Sequence, residues 1–266
     1  MASELIDDLL ASAPDGEVLD VRIGLSWTAV VVALAGERHC GLAATLRGER
    51  HHGGPVMPGA GQLVGRNGRE LASWARLDAA SLTQASVGFA ALNALLSPAA
   101  ASQPWIDLNA ADVIAQHGAG QRVALIGHFP FVESLRGQVG SLSVLELQPQ
   151  PGDLPASAAA EVLPQADIIA ITATTLINGT FAGLMALRNP AALTMVLGPS
   201  TPLSPILFDH GVDILSGALV ADIDPTLRAV SQGAGFRQVH KAGVRLVSRW
   251  HERKIQPETA ESRWMR

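Results

Sequence analysis

Five hydroxyl and amide side chains, Thr172, Thr174, Thr175, Asn178 and Thr180, fall within nine positions of the stretch ITATTLINGT, residues 171–180. One helix cap uses one or two such groups, so five at one place point to a wall of polar donors and acceptors. Three further clusters carry similar chemistry. Gly127-His128-Phe129-Pro130-Phe131 holds an imidazole, which titrates near neutral pH and can act as acid, base or metal ligand. Glu146 is followed by Pro149, Gly152, Asp153 and Pro155, and GPSTPLSP carries Gly198, Pro199, Ser200, Thr201 and Ser204. His128, Glu146 and Asp153 are of metal-ligating types, whereas neutral hydroxyls are poor ligands for a soft metal. Hydroxyls and helix amino termini suit an anion or a carboxylate-rich ligand instead.

The elements that must position these groups show two rhythms. In the first hundred residues EVLDVRIGLSWTAVVVAL and RHCGLAATL are β-rich runs joined at Ala35-Gly36-Glu37, which predicts an antiparallel pair. A Gly- and Pro-rich loop follows at 47–68, then a helix near 69–77 and a stronger one from Ser81 to Leu96. That second helix opens with a capping box, Ser81 and Gln84, and is expected to stop at Ser97-Pro98. The connector SPAAASQPW, 97–105, marks the predicted boundary between a first domain, 1–103, and a second, 104–250. In the second half short apolar runs at 122–127, 142–147, 167–173, 193–198 and 212–220 alternate with helical stretches at 130–137, 156–163, 175–188 and 225–232. Such alternation predicts a parallel sheet covered on both faces. The last helix is expected to be capped by Asp224, to start at Pro225 and to stop at Gly233.

In a sheet of this kind ligands bind outside the carboxyl ends of the strands. All four polar clusters follow strands, so one shared pocket explains them together; separate helix caps and turns are the alternative. Glu146 lies about twenty residues beyond the first strand, where such domains place an acid for ribose hydroxyls. A salt bridge to an arginine is the competing role for that acid. The first turn, G-H-F-P-F, lacks G-x-G-x-x-G, so NAD is not expected, while an adenosine ligand without a diphosphate, such as S-adenosylmethionine, stays open. No nucleophile elbow, P-loop or H-E-x-x-H pattern accompanies His128.

Other metal-ligating residues are less well placed. His39 and Cys40 are neighbours on a strand and point to opposite faces. His51-His52 lies in the Gly-rich loop and reads as a solvated pair, and His210 reads as a residue near a helix carboxyl end. A single cysteine permits no internal disulfide and no Cys-rich metal cage.

GHFPFV, ELQPQPGDLP, ITATTLINGT and LGPSTPLSP, in this order, resemble the putative heavy-metal chelation domain family of prokaryotes (domain of unknown function 364). DVRIGLSWTAV, GLAATL and SVGFAALNALL resemble its companion amino-terminal domain (domain of unknown function 4213). The resemblance implies an α/β protein: an enolase-amino-terminal-like α+β domain followed by a Rossmann-like parallel-sheet domain, with a site in the cleft between them. By the same analogy Gly88 and Asn93 would face that cleft.

Composition narrows the partners. The 266 residues are 48% apolar and 16% charged, with net charge −5 and only two lysines, Lys241 and Lys254. Without a basic face, nucleic acid is not an expected partner. No apolar run reaches the ~20 residues that span a bilayer. MASELIDDLL has acids where a secretory signal has Lys or Arg, so an amphipathic first helix and a cytosolic location are expected. Residues 251–266 read as a flexible tail. The expectation is a protein binding a divalent or heavy-metal ion, or a metal chelate, as a homodimer. The alternatives are an enzyme with an adenosine-type cofactor and a non-catalytic assembly or regulatory protein.

Overall fold

The computed structural model describes residues 2–48, 57–76, 81–107 and 110–252. His51-His52 and the charged tail beyond 252 lie outside the described residues.

Helix α1, Ala2–Ser12, is followed by strands β1, Glu17–Ile23, β2, Trp27–Leu34, and β3, Glu37–Ala44, which form an antiparallel sheet in the order β1-β2-β3. The first long β run is therefore two strands, folded at Gly24, whose N–H donates to Trp27 O at 2.9 Å. A Cβ on Gly24 would lie 2.3 Å from Val230 O, so no other residue fits this corner. The predicted turn between β2 and β3 forms with φ of 51° at Ala35 and 86° at Gly36. Positive φ at both central positions matches the right-handed twist of a two-residue hairpin.

Helix α2, Gly68–Ala72, continues into a 3-10 turn, Ser73–Arg76. Helix α3, Leu82–Ala101, has the expected capping box but does not stop before Pro98. Proline removes the donor that would reach Ala94 O, and the Ser97 hydroxyl donates to that oxygen at 3.0 Å in its place. The helix therefore runs one more turn. It lies against β2 and β3 so closely that a Cβ on Gly41 would sit 2.2 Å from both Ala90 O and Ala94 N.

The second half contains α4, Ala110–Gly118, β4, Arg122–Ile126, α5, Val132–Leu135, β5, Ser141–Glu146, β6, Leu154–Pro155, and α6, Ala159–Val162. There follow β7, Ile168–Thr172, α7, Thr174–Ile177, α8, Phe181–Leu187, β8, Leu193–Leu197, and α9, Ile206–Asp209. The chain continues through β9, Ile214–Val220, α10, Ile223–Ser231, α11, Phe236–Gly243, and β10, Val244–Trp250. The seven strands stand in the order β10-β9-β8-β7-β4-β5-β6, all pairs parallel except β10 on β9. The sheet grows outward in one direction from β4 through β5 and in the other from β7 through β9. Strand order thus reverses between β4 and β7, the position where doubly wound sheets leave a crevice.

Three details differ from expectation. The stretch 175–188 is two helices, α7 and α8, separated at Gly179, whose φ of 77° suits glycine alone. Helix α10 starts at Ile223 behind Asp222, so Pro225 is its third residue. Proline is tolerated there because first-turn N–H groups have no intrahelical acceptor. Strands β6 and β10 are not among the predicted runs: the two residues of β6 carry no periodicity, and VRLVSRW of β10 mixes two arginines and a serine into its apolar residues.

One continuous core joins the two sheets: Leu5, Phe89 and Leu92 of the first half belong to the same buried cluster as Ile169, Val196 and Leu215 of the second. Among the described residues no helix is long and apolar enough to cross a membrane.

Candidate functional site

The ends of β4 and β7 meet at Gly127. Its φ is +102°, and a Cβ there would lie 3.0 Å from Thr172 Cγ2, so glycine lets the two strand ends touch. The next residue, His128, is held from two sides. Its backbone N–H donates to Glu146 Oε2 at 2.9 Å, and its ring Nδ1 lies 2.8 Å from Asp153 Oδ2 and 3.1 Å from Oδ1. The Asp153 side chain has no exposed surface, whereas that of His128 is 21% exposed. Burial alone would raise the Asp153 pKa; the N–H of Gln150, the His128 ring and the nearby Arg136 charge outweigh it, and the carboxyl is held below its ordinary value.

Glu146 accepts from backbone N–H groups with both oxygens, from His128 with Oε2 and from Leu147 with Oε1 at 2.7 Å. It ties the β4 turn to the β5 end instead of pairing with an arginine. Phe129 stacks on Phe131, with ring centroids 5.1 Å apart, and both pack on the core that holds Val132 and Leu135. The aromatic pair therefore anchors the turn.

The polar stretch after β7 divides. Thr172 and Thr174, both half-buried, share one hydroxyl contact of 3.1 Å. The buried Thr175 hydroxyl donates to Thr172 O at 2.7 Å, and Asn178 Oδ1 accepts from the N–H and hydroxyl of Thr180. Thr175, Asn178 and Thr180 thus stabilise the turn from β7 through α7 to α8. Thr172 and Thr174 pair their hydroxyls with each other, and Thr172 lies against Gly127.

After β8 the polar groups hold the two sheets together. Ser200 Oγ accepts from Ala44 N at 2.8 Å at the end of β3. Asn93 Nδ2, from α3, donates to Leu42 O at 2.8 Å and to Ser200 O at 3.2 Å. The Thr201 hydroxyl contacts Gly198 O at 2.7 Å and Ser216 O at 3.0 Å, and Ser200, Thr201 and Ser204 are all buried. Gly198, with φ of +109°, and Pro199 turn the chain into this seam and are half-buried. Asn93 does lie between the two halves, but Gly88 does not: a Cβ there would sit 2.5 Å from Ala75 N, so it is a packing glycine against the 3-10 turn.

A small void with room for about one water is lined by Cys40, Asn93, Thr201 and Leu203 at this seam. Asn93 Oδ1 is buried there without a partner. A wider groove of about 330 Å³, lined by Arg122, Ser143, Glu161 and Gln165, opens at the amino ends of β4 and β5, away from the crevice. Its arginine is held by Asp167, whose carboxyl is brought down to about 2 by the Arg122 guanidinium.

The donor set tests the fit of a bare heavy metal. Among the described residues no group of three or more His, Cys, Asp or Glu side chains is placed to hold a metal ion. His128 and Asp153 meet each other, and Glu146 is turned to the backbone. Cys40 is buried, and burial pushes its thiol up to about 12, which disfavours the thiolate that metals need. A bare soft ion therefore does not fit these residues. Sequence reasoning placed Asp153 among the ligands but missed its role as the partner of the His128 ring, because nothing local in the chain joins positions 25 residues apart.

The chain matches two family models, both described as putative heavy-metal chelation, over residues 109–248 and 6–96. It is 25% identical over 225 residues to an uncharacterised protein of Methanocaldococcus jannaschii, covering 80% of this chain and 82% of that one. A crystal structure of a protein of unknown function from Desulfitobacterium hafniense, of the family domain of unknown function 364, superposes with a TM-score of 0.78 at 26% identity. That match covers 93% of this chain and 98% of the other. A Pyrococcus horikoshii protein of unknown function from the same family gives a TM-score of 0.79 at 21% identity, over 94% and 99% of the two chains.

Proposed function

Because the chain belongs to the family described as putative heavy-metal chelation, we propose that it binds a small metal-containing ligand in the crevice above the carboxyl ends of β4 and β7. The observation that carries this reading is that Gly127, the residue before His128, lies against Thr172 where strand order reverses, with Thr174 hydrogen-bonded to Thr172. That is where doubly wound sheets bind ligands. A metal that already carries other ligands is the ligand class, because no set of protein ligands for a bare ion stands among the described residues, and Gly198 and Pro199 extend the crevice toward the seam.

We read the larger sheet as Rossmann-like and the smaller one, backed by α3, as enolase-amino-terminal-like, with the division at 97–105. The strand order and the three antiparallel strands under one long helix support this. The protein is taken to work in the cytosol, a reading supported by its single buried cysteine, and as a homodimer, a reading supported by its 48% apolar composition.

The second reading is an enzyme using an adenosine-type cofactor. Glu146 stands at the end of the second strand, as a ribose-binding acid does, but both its oxygens already accept backbone N–H groups. This favours the metal-ligand reading. Thermal-shift titration with zinc, zinc–nitrilotriacetate and S-adenosylmethionine separates the two, alongside elemental analysis of protein purified without chelator. Stabilisation by a zinc species is expected. Stabilisation by S-adenosylmethionine alone, with no bound metal, would overturn the proposal.

A further inference from the structure

The crevice has one unengaged metal-type donor among its described residues. The carboxylate of Asp153, on a side chain with no exposed surface, accepts from Nδ1–H of His128, which assigns the ring the tautomer with its lone pair on Nε2. Among the described residues no hydrogen bond or ion pair engages Nε2, and the His128 side chain keeps part of its surface open. A carboxylate on one ring nitrogen is the arrangement that orients a metal-ligating histidine and raises its basicity. The second oxygen of Asp153 is also within reach of the same ring nitrogen, and Glu146 is closed by two backbone donors. One imidazole nitrogen cannot hold a bare ion against water, but it can complete the coordination of a metal that already carries other ligands.

Thr172 and Thr174 supply the complementary chemistry. Their two hydroxyls have two hydrogens and share one mutual contact, so one O–H remains to donate outward. A carboxylate arm of a chelator is a suitable acceptor.

Resting on the metal-ligand reading above, we infer that the crevice takes a divalent metal already held in a carboxylate-bearing chelate, with His128 Nε2 as the single protein ligand. Asp153 is a positioning residue that does not touch the metal. The protein on this account receives chelated metal; it does not chelate the ion by itself.

The test is nitrogen NMR of protein labelled in its histidine rings, titrated with zinc, with zinc–nitrilotriacetate and with nitrilotriacetate alone. His128 is assigned by the resonances lost in His128→Gln, and the Thr172 and Thr174 methyls are followed as markers of the crevice. Zinc–nitrilotriacetate is expected to move His128 Nε2 at lower concentration than zinc does, with Nδ1 still protonated. Asp153→Asn is expected to weaken that binding about 10- to 100-fold. Since the wild-type titration needs no variant, a folding defect in Asp153→Asn leaves the test intact. Tighter binding of free zinc than of the complex, or loss of the Nδ1 proton on binding, would overturn the inference. Movement of the threonine methyls without His128 Nε2 would overturn it while leaving a crevice ligand in place. If no probe moves either marker, the inference and the reading beneath it both fall.

Discussion

The strand end after β8 and the pair of strand ends after β4 and β7 look alike along the chain. Each has a positive-φ glycine, Gly198 or Gly127, followed by polar side chains. Their polar atoms meet different fates. After β8, Ser200, Thr201 and Asn93 bind backbone groups of β3, of β9 and of their own loop, and the serine and threonine are buried. After β4 and β7, His128 Nε2 and one threonine hydrogen have no partner among the described residues and belong to half-buried side chains. The difference lies in what stands opposite. The β8 end faces β3, whose backbone groups at Ala44 and Leu42 need partners, whereas the β4 end meets Thr172 of β7 on one side and Glu146 and Asp153 on the other. A cluster of hydroxyls at a strand end therefore does not by itself distinguish a docking seam from a ligand site.

The largest expected effect lies beneath the seam, where β3 packs on α3. Gly41→Ala places a Cβ 2.2 Å from two backbone atoms of α3, which cannot yield as a side chain can. A loss of about 3 kcal/mol or more is expected in denaturant unfolding. Ser200→Ala, which leaves Ala44 N without its acceptor, should lose about 1–3 kcal/mol by the same measurement. A neutral result for Ser200→Ala would remove the seam as the element that holds the two sheets together, and a neutral Gly41→Ala would show that α3 can move off β3.

The crevice should respond in the opposite sense. Thr174→Val exchanges a half-buried hydroxyl for a methyl and should change stability by less than about 0.5 kcal/mol. Zinc–nitrilotriacetate affinity, by calorimetry, should fall several-fold. Equal losses in both quantities would make Thr174 a structural residue like Thr175, and the contrast would fail there.

The smallest effect is at acid pH. The folded-state pKa values of Asp153 and Asp167 are both depressed, so their contribution is present above the unfolded value of about 4 and is lost as pH falls through the folded one. For Asp167 that window ends at about 2. Because the Asp167–Arg122 pair is exposed, Asp167→Asn should alter the acid melting curve only slightly. Asp153→Asn should flatten it more, since that carboxylate is enclosed. The reverse order would show that the His128–Asp153 contact does not persist in solution.

Much of the fold was legible. The five apolar runs became β4, β5, β7, β8 and β9, because strands buried on both faces must be apolar throughout. The capping box at Ser81 and the turn at Ala35-Gly36 were legible because both are set by residues within four positions of each other. The end of α3 was misread because Pro98 is a local breaker whose effect is offset by Ser97 and by burial along the helix. At the strand ends, the sequence pointed to polar loops but not to the hydrogen-bonding roles within them. Thr175, Asn178 and Thr180 serve the turn, and Ser200 and Asn93 serve the seam.

The sequence by itself determined residue types and period: which segments are strands and helices, and that polar groups gather at strand carboxyl ends. Those follow from steric and solvation preferences that act over a few residues. Tertiary structure alone decided which of these polar atoms stay free. Whether a hydroxyl or ring nitrogen is engaged depends on a partner brought in from far along the chain, as Asp153 is to His128 and Ala44 to Ser200. Hydrogen bonding needs a distance near 3 Å, and only the packed fold sets that distance.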